Sequence, residues 1–177
     1  MITVQQVLPF PKTAKTLGSR DRRKEDTILV EELQKTDLTQ EERTALETLY
    51  KAFNEQEPDL LDQACAPDWQ DIPLAPGQEA GPAGLKKMMP IFFSAFPDLK
   101  MEIHEVIGSH GRAAVRGSLV GTHRGNLFGV PATNQKVDIP FHELHHFRDG
   151  RLTHTYHVED WFGLFLRLGQ WPPARNA

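Results

Sequence analysis

The chain has 177 residues, 39% of them hydrophobic and 25% charged, with a formal net charge of −4. That length suits one domain with its own core, and the mild acidity gives no overall pull toward nucleic acid or a membrane surface. One cysteine, Cys65, excludes an internal disulfide framework and fits a reducing cytoplasm, and no apolar run approaches a membrane span or a secretory h-region.

Residues 1–37 read as an N-terminal arm: a short apolar stretch, ITVQQVLPF, and then a basic run from Lys12 to Lys24. No aromatics interleave with these charges, so a solvated arm is expected in preference to an anion-binding surface. The domain spans residues 38–177 and opens on a capping box, Thr39-Gln-Glu-Glu42. Leu46, Leu49, Tyr50 and Phe53 then share one helical face. Pro58 ends that helix, and Leu60, Leu61 and Ala64 suggest a short second one. Residues 69–74, WQDIPL, are extended, and APGQEAGPAG forms a loop. A third helix buries Leu85, Met88, Met89, Phe92 and Phe96. Pro90 within it is predicted to kink or divide the helix, because it removes an amide and crowds the carbonyl four residues back.

From Leu99 the period changes to alternation. Residues 99–107, 112–123, 136–147 and 151–160 read as strands, separated by turn chemistry at Gly108–Gly111, a loop through Gly129-Val-Pro131, and Asp149-Gly150. A last helix, Trp161–Leu168, starts at Asp160 as N-cap and is closed by Gly169 and Pro172-Pro173. Helices followed by a strand meander predict an α+β fold. A strongly curved, mostly antiparallel sheet packed on the N-terminal helices would enclose a conical cavity.

The hairpin FHELHHFRDGRLTHTYHVED, residues 141–160, holds five of the eight histidines. A two-residue type I′ turn at Asp149-Gly150 pairs Arg148 with Arg151, Phe147 with Leu152 and, further out, His142 with His157. Opposed residues share a face. On that register Phe141, Glu143, His145, Phe147, Leu152, His154, Tyr156 and Val158 form one face. His142, Leu144, His146, Thr153, Thr155, His157 and Glu159 form the other. The histidines are split, and neither the pair His145/His154 with Glu143 nor the pair His142/His157 completes a ligand set, so no metal is expected. The first face, aromatic around Phe141, Phe147 and Tyr156, suits packing in a core or across a dimer. The second carries small threonines between titratable groups, which suits a ligand cavity. Pattern alone leaves the choice of face open.

The run GTHRGNLFGVPATNQKV, then HFRDGRL, Tyr156-His157-Val158, Asp160 and GLFLRLG, resembles the SnoaL-like polyketide cyclase family of the nuclear-transport-factor-2 fold. GQEAGPAGLKKMM and AFPDLK match the same family, and the likeness covers about residues 39–170. It implies a conical α+β barrel, a homodimer, no cofactor, and ring closure by intramolecular aldol condensation of a polyketide ester. The family's His-Trp-Asp triplet, whose Asp is its acid–base residue, falls on Thr155-Tyr156-His157 by register from the turn. An imidazole then stands where the family has a carboxylate, His142 lies opposite it, and Tyr50 matches a tyrosine facing the pocket.

The expected function is a cofactor-free lyase or isomerase of cyclase type, acting on an apolar, carbonyl-bearing small molecule. His157 serves as base, with His142, His146 or Tyr50 stabilising the enolate. Asp160 is a further candidate acid beside its capping role. Thr155, Leu144, Asp71, Trp69 and Met89 are candidate pocket contacts. The alternative is a binding or dimerisation module of the same fold without turnover.

Overall fold

The computed structural model describes residues 22–170, with side chains from residue 27 onward; most of the basic run Lys12–Lys24 and the Pro172-Pro173 stop lie outside them. In chain order the elements are α1 (Arg22–Gln34), α2 (Gln40–Asn54), a 3₁₀ turn (Pro58–Leu60), α3 (Leu61–Ala64), β1 (Cys65–Ile72), α4 (Pro82–Ala95), β2 (Lys100–Ser109), β3 (Arg112–Thr122), β4 (Lys136–Arg148), β5 (Arg151–Glu159) and α5 (Trp161–Arg167). The strands make one open, curved sheet in the order β1-β5-β4-β3-β2. β1 runs parallel to β5 and every other pairing is antiparallel. The fold is α+β, as expected, although the sheet stays open. No helix among the described residues is long and apolar enough to cross a membrane.

Local chemistry explains where α2 begins. Thr39 Oγ1 accepts from the Glu42 amide at 3.2 Å, and Glu42 Oε2 accepts from the Thr39 amide at 2.9 Å. Glu42 Oε1 also accepts from the Gly111 amide at 2.8 Å, so the same side chain ties the helix start to the β2–β3 turn. The segment read as an arm contributes α1, which packs on β2 and buries Leu33 in the core. Pro90 does not divide α4, which runs unbroken from Pro82 to Ala95. The proline lies on the exposed side of the helix, where the missing amide bond and the crowding meet solvent rather than packed neighbours.

The hairpin turn forms as expected, with positive φ at Asp149 (52°) and Gly150 (71°). Arg148 pairs Arg151 and Phe147 pairs Leu152. A β-bulge then intervenes: His146 pairs His154, leaving Thr153 as the extra residue, and all pairs beyond are displaced by one. His145 faces Thr155, Glu143 faces His157 and Phe141 faces Glu159. Because side chains alternate, a one-residue displacement moves the outer half of β5 to the opposite face. The two faces read from an unbroken register are therefore corrected. Phe141, Glu143, His145, Thr155, His157 and Glu159 share the face toward the helices, while His142, Leu144, His146, His154, Tyr156 and Val158 share the outer one.

Gly117 of β3 lies under this inner face. A Cβ there would sit 2.4 Å from Phe141 Cζ and 2.5 Å from the Glu102 carbonyl oxygen. The backbone contact cannot relax by a rotamer change. Gly117→Ala should therefore destabilise the fold by about 1–3 kcal/mol, read as a lowered denaturant midpoint; a variant as stable as the parent would contradict this packing.

Candidate active site

The concave face of the sheet and helices α2 and α4 enclose a cavity of about 540 Å³. Its wall is mainly apolar, with Phe53, Leu85, Met101, Leu119 and Phe141 contributing. Phe92, Phe128 and Trp161 pack together on one side of it. Phe92 stacks on Trp161 at 6.1 Å, and Phe128 meets both edge-on. Polar groups enter the wall as two networks, both anchored on the inner face of β4 and β5.

The first network is buried. Tyr50 Oη donates to Glu143 Oε2 at 2.6 Å, and His145 Nε2 lies 3.2 Å from that same oxygen and 3.1 Å from Tyr50 Oη. His145 Nδ1 is 3.1 Å from Thr155 Oγ1, which accepts from Trp69 Nε1 at 3.0 Å. Indole can only donate. The Thr155 hydroxyl keeps its own proton to donate, and His145 Nε2 is aimed at Glu143. Burial pushes the Glu143 carboxyl up, but hydrogen bonds from His145 and Tyr50 and the charge of His157 outweigh it and hold it below the usual glutamate value. Burial and the Glu143 charge raise the Tyr50 phenol well above its ordinary range, so it remains a donor. Glu143 Oε2 is thereby pinned. Oε1 makes no hydrogen bond among the described residues, on a side chain 10% exposed that lines the cavity.

The second network is centred on His157. Its Nδ1 is 2.8 Å from Glu159 Oε1, and its Nε2 lies 3.0 Å from the Pro73 carbonyl and 3.2 Å from Asp71 Oδ1. All three partners accept, so both ring nitrogens carry protons and the ring is an imidazolium. Burial alone would lower its pKa, but the hydrogen bonds and charges of Asp71 and Glu159 prevail and raise it to about 10. Gln78 Nε2 donates to Asp71 Oδ2 at 2.7 Å and its Oε1 accepts from the Ala75 amide, fastening the loop after β1. Trp161 Nε1 donates to Glu159 Oε2 at 2.9 Å, tying α5 to the same centre.

Of the residues singled out in the sequence, the structure brings Tyr50, Trp69, Asp71, Thr155 and His157 to the cavity wall. It does not bring His142, Leu144 or His146 there. All three lie on the outer face of β4, where Leu144 is 53% exposed, while the bulge in β5 brings Thr155 and His157 to the inner face. Met89 is fully buried in the core, away from the wall. Asp160 caps α5, accepting from the Gly163 amide at 2.8 Å. The pair His145/His154 is dissolved, because His154 stacks on Tyr156 and lies beside His146 on the outer face. His157 cannot act as a resting base while both nitrogens are protonated. Sequence reasoning passed over Glu143 as a chemical group and undervalued Glu159. No sequence signal marks them, because only the bulged register brings Glu143 and Glu159 to one face.

The SnoaL-like polyketide cyclase family matches residues 43–168. No curated protein matches the chain significantly. Among solved structures, TsrD from Streptomyces laurentii is 22% identical, with a TM-score of 0.67 over 73% of this chain and 95% of its own. A protein of Bacillus cereus ATCC 10987 assigned as a polyketide cyclase is 23% identical, with a TM-score of 0.66 over 76% of this chain and 89% of its own. AclR from Streptomyces galilaeus, assigned as a hydroxylase, is 26% identical, with a TM-score of 0.64 over 77% and 85%.

The His157 ion cluster makes stability depend on pH. The folded-state pKa is raised, so its contribution is complete below pH 6.5 and disappears as pH rises through about 10. The Tm difference between wild type and His157→Gln should be largest near neutrality and shrink toward pH 10; a constant difference across that window would refute the charged imidazolium. With the family match spanning most of the domain and the cavity in place, the chain belongs to the SnoaL-like polyketide cyclase family.

Proposed function

We propose that the chain is a cyclase-type lyase or isomerase that moves protons on a largely apolar, carbonyl-bearing small molecule, using its own side chains as acid and base. The observation that carries this reading is Glu143 Oε1: a carboxylate oxygen without a partner among the described residues, on a nine-tenths buried side chain facing an apolar cavity. Glu143 takes the role that the sequence reading assigned to His157. The C–H bond next to the carbonyl breaks, the proton passes to Oε1, and the electron pair spreads onto the carbonyl oxygen. In a ring closure the enolate carbon bonds to a second carbonyl of the same molecule, and the proton held by Glu143 goes to the new alkoxide. His157, directly across the strand pair from Glu143, places a positive charge beside the reacting centre.

A second reading is a carrier that holds its ligand without turnover. The observation favouring it is that both nitrogens of His157 and both oxygens of Asp71 and Glu159 already have protein partners. The solved relatives carry differing assignments, cyclase and hydroxylase, so the fold alone does not choose. The single buried Cys65 supports placing the protein in a reducing cytoplasm.

A neutral probe tests the base without knowledge of the natural substrate. A nitrobenzisoxazole loses its C3 proton to a base as its N–O bond breaks, giving a coloured cyanophenolate. Glu143→Gln should lower that rate about 10²–10⁴-fold. The rate should fall as pH drops through the lowered carboxyl range of Glu143, below 4.5, and fall again above about 10 as His157 loses its proton. Undiminished turnover in Glu143→Gln, or an acidic limb near the ordinary histidine value, would reject this assignment. Tight binding of carbonyl ligands with no turnover of any probe would favour the carrier.

We also propose a second copy of the chain as the partner of the outer sheet face. Ile107, Leu144 and Val158 stand 66%, 53% and 70% exposed there, with Tyr156 beside them, an apolar surface a solvated sheet face does not need. Light scattering should give a dimer at micromolar concentration, and Val158→Glu should shift it to monomer; a monomeric wild type would refute it.

A further inference from the structure

We propose that the cavity selects a ligand bearing a cationic nitrogen, which binds as a protonated amine does and reacts as an iminium whose neighbouring carbon loses its proton. This rests on the cavity being the working site, and it goes beyond the acid–base reading by fixing the charge class of what enters.

The wall's charge is the first support. Asp71, Glu143 and Glu159 face one imidazolium, His157, and no lysine or arginine among the described residues lines the cavity. Three negative charges against one positive leave the wall two charges negative. A carboxylate or phosphate ligand would enter that field with no cation but His157, whose ring nitrogens already bond protein acceptors.

The second support is the geometry of one of these carboxylates. The Glu143 side chain is nine-tenths buried, and its Oε1, open to the cavity, has no hydrogen-bond donor among the described residues. That oxygen faces the cavity rather than packed protein, so a ligand N⁺–H entering there would meet it and form a charge-assisted hydrogen bond. Aromatic faces surround that route: Phe53 and Trp69 on the wall, and Phe92, Phe128 and Trp161 packed together beside them. Rings of this kind attract cations through their quadrupole.

The chemistry points the same way. Removing a proton from a neutral carbon acid leaves an oxyanion, and although the His157 charge attracts it, the main donors of the two networks are already committed. The N–H groups of His157 are held by Glu159, Asp71 and Pro73, and the Tyr50 hydroxyl is held by Glu143. Removing a proton from the carbon beside an iminium breaks the C–H bond, sends the proton to Glu143 and returns the electron pair to nitrogen as a neutral enamine. A carboxylate–cation pair becomes two neutral groups, which a low-dielectric cavity favours over creating a bare enolate.

The test is a matched ligand series titrated calorimetrically into the full-length protein at pH 7: 2-naphthylmethylammonium, 2-naphthylmethanol and 2-naphthoate. The ammonium should bind at least tenfold tighter than the alcohol, and the carboxylate at least tenfold weaker. Glu143→Gln should shrink the ammonium-to-alcohol ratio about tenfold. Equal affinities, preference for the carboxylate, no binding by any member, or an unchanged ratio in Glu143→Gln would each overturn the proposal. If Glu143→Gln fails to fold, the wild-type ammonium-to-carboxylate ratio still decides. The benzisoxazole is neutral, so the two proposals fail separately. Loss of its turnover in Glu143→Gln without any cation preference sinks only this inference, whereas cation preference with undiminished turnover sinks only the base.

Discussion

One extra residue in β5 determines what the cavity is made of. The bulge at Thr153 displaces the β4–β5 register by a single step, and a single step reverses which side chains face inward. With it, Glu143, His145, Thr155, His157 and Glu159 converge on one concave face. Without it, His157 and Glu159 would stand on the exposed side, and His154 and Tyr156 would turn toward Trp69. The Thr153 hydroxyl donates to the His146 carbonyl at 3.2 Å, so the irregularity carries its own hydrogen bond.

The two polar networks then follow from ordinary packing rules. Buried donors and acceptors must be paired, and here two pairings join parts distant in sequence while two fasten the segments next to β1 and β5. Tyr50 on α2 meets Glu143 on β4, Trp69 on β1 meets Thr155 on β5, Gln78 in the loop meets Asp71, and Trp161 on α5 meets Glu159. The site is thus fixed from four sides rather than by the sheet alone. That is the kind of support a proton-transfer centre needs, because a misplacement of about 1 Å can cost about 10²-fold in rate.

Much of the architecture could be read from the residues. The capping box, the alternation after Leu99, the Asp149-Gly150 turn and the Asp160 cap each have a local cause, and local causes leave local signatures. Tyr50, Trp69 and Asp71 could be placed because they sit on elements whose periodicity is unambiguous. The composition of the cavity face could not be read, because Thr153 is a β-branched residue in a strand pattern and nothing in its neighbours marks it as surplus. The charge of His157 was hidden for a related reason. Two of its partners, Asp71 and the Pro73 carbonyl, come from β1 and the loop after it, far away in sequence, and only the parallel β1–β5 pairing brings them near.

Two of the chain's three tryptophans line the cavity, and each spends its indole N–H on a residue of the polar networks. Trp69 reports on Thr155 and through it on His145. Trp161, bonded to Glu159 and stacked on Phe92, sits where a ligand and the His157 ion cluster would both alter its surroundings. The protein therefore carries two intrinsic optical gauges at different depths of one chamber: a buried indole tuned to the Glu143 network and a partly exposed one tuned to the His157 network. Occupancy and protonation would write different signatures into their emission, without any label being attached.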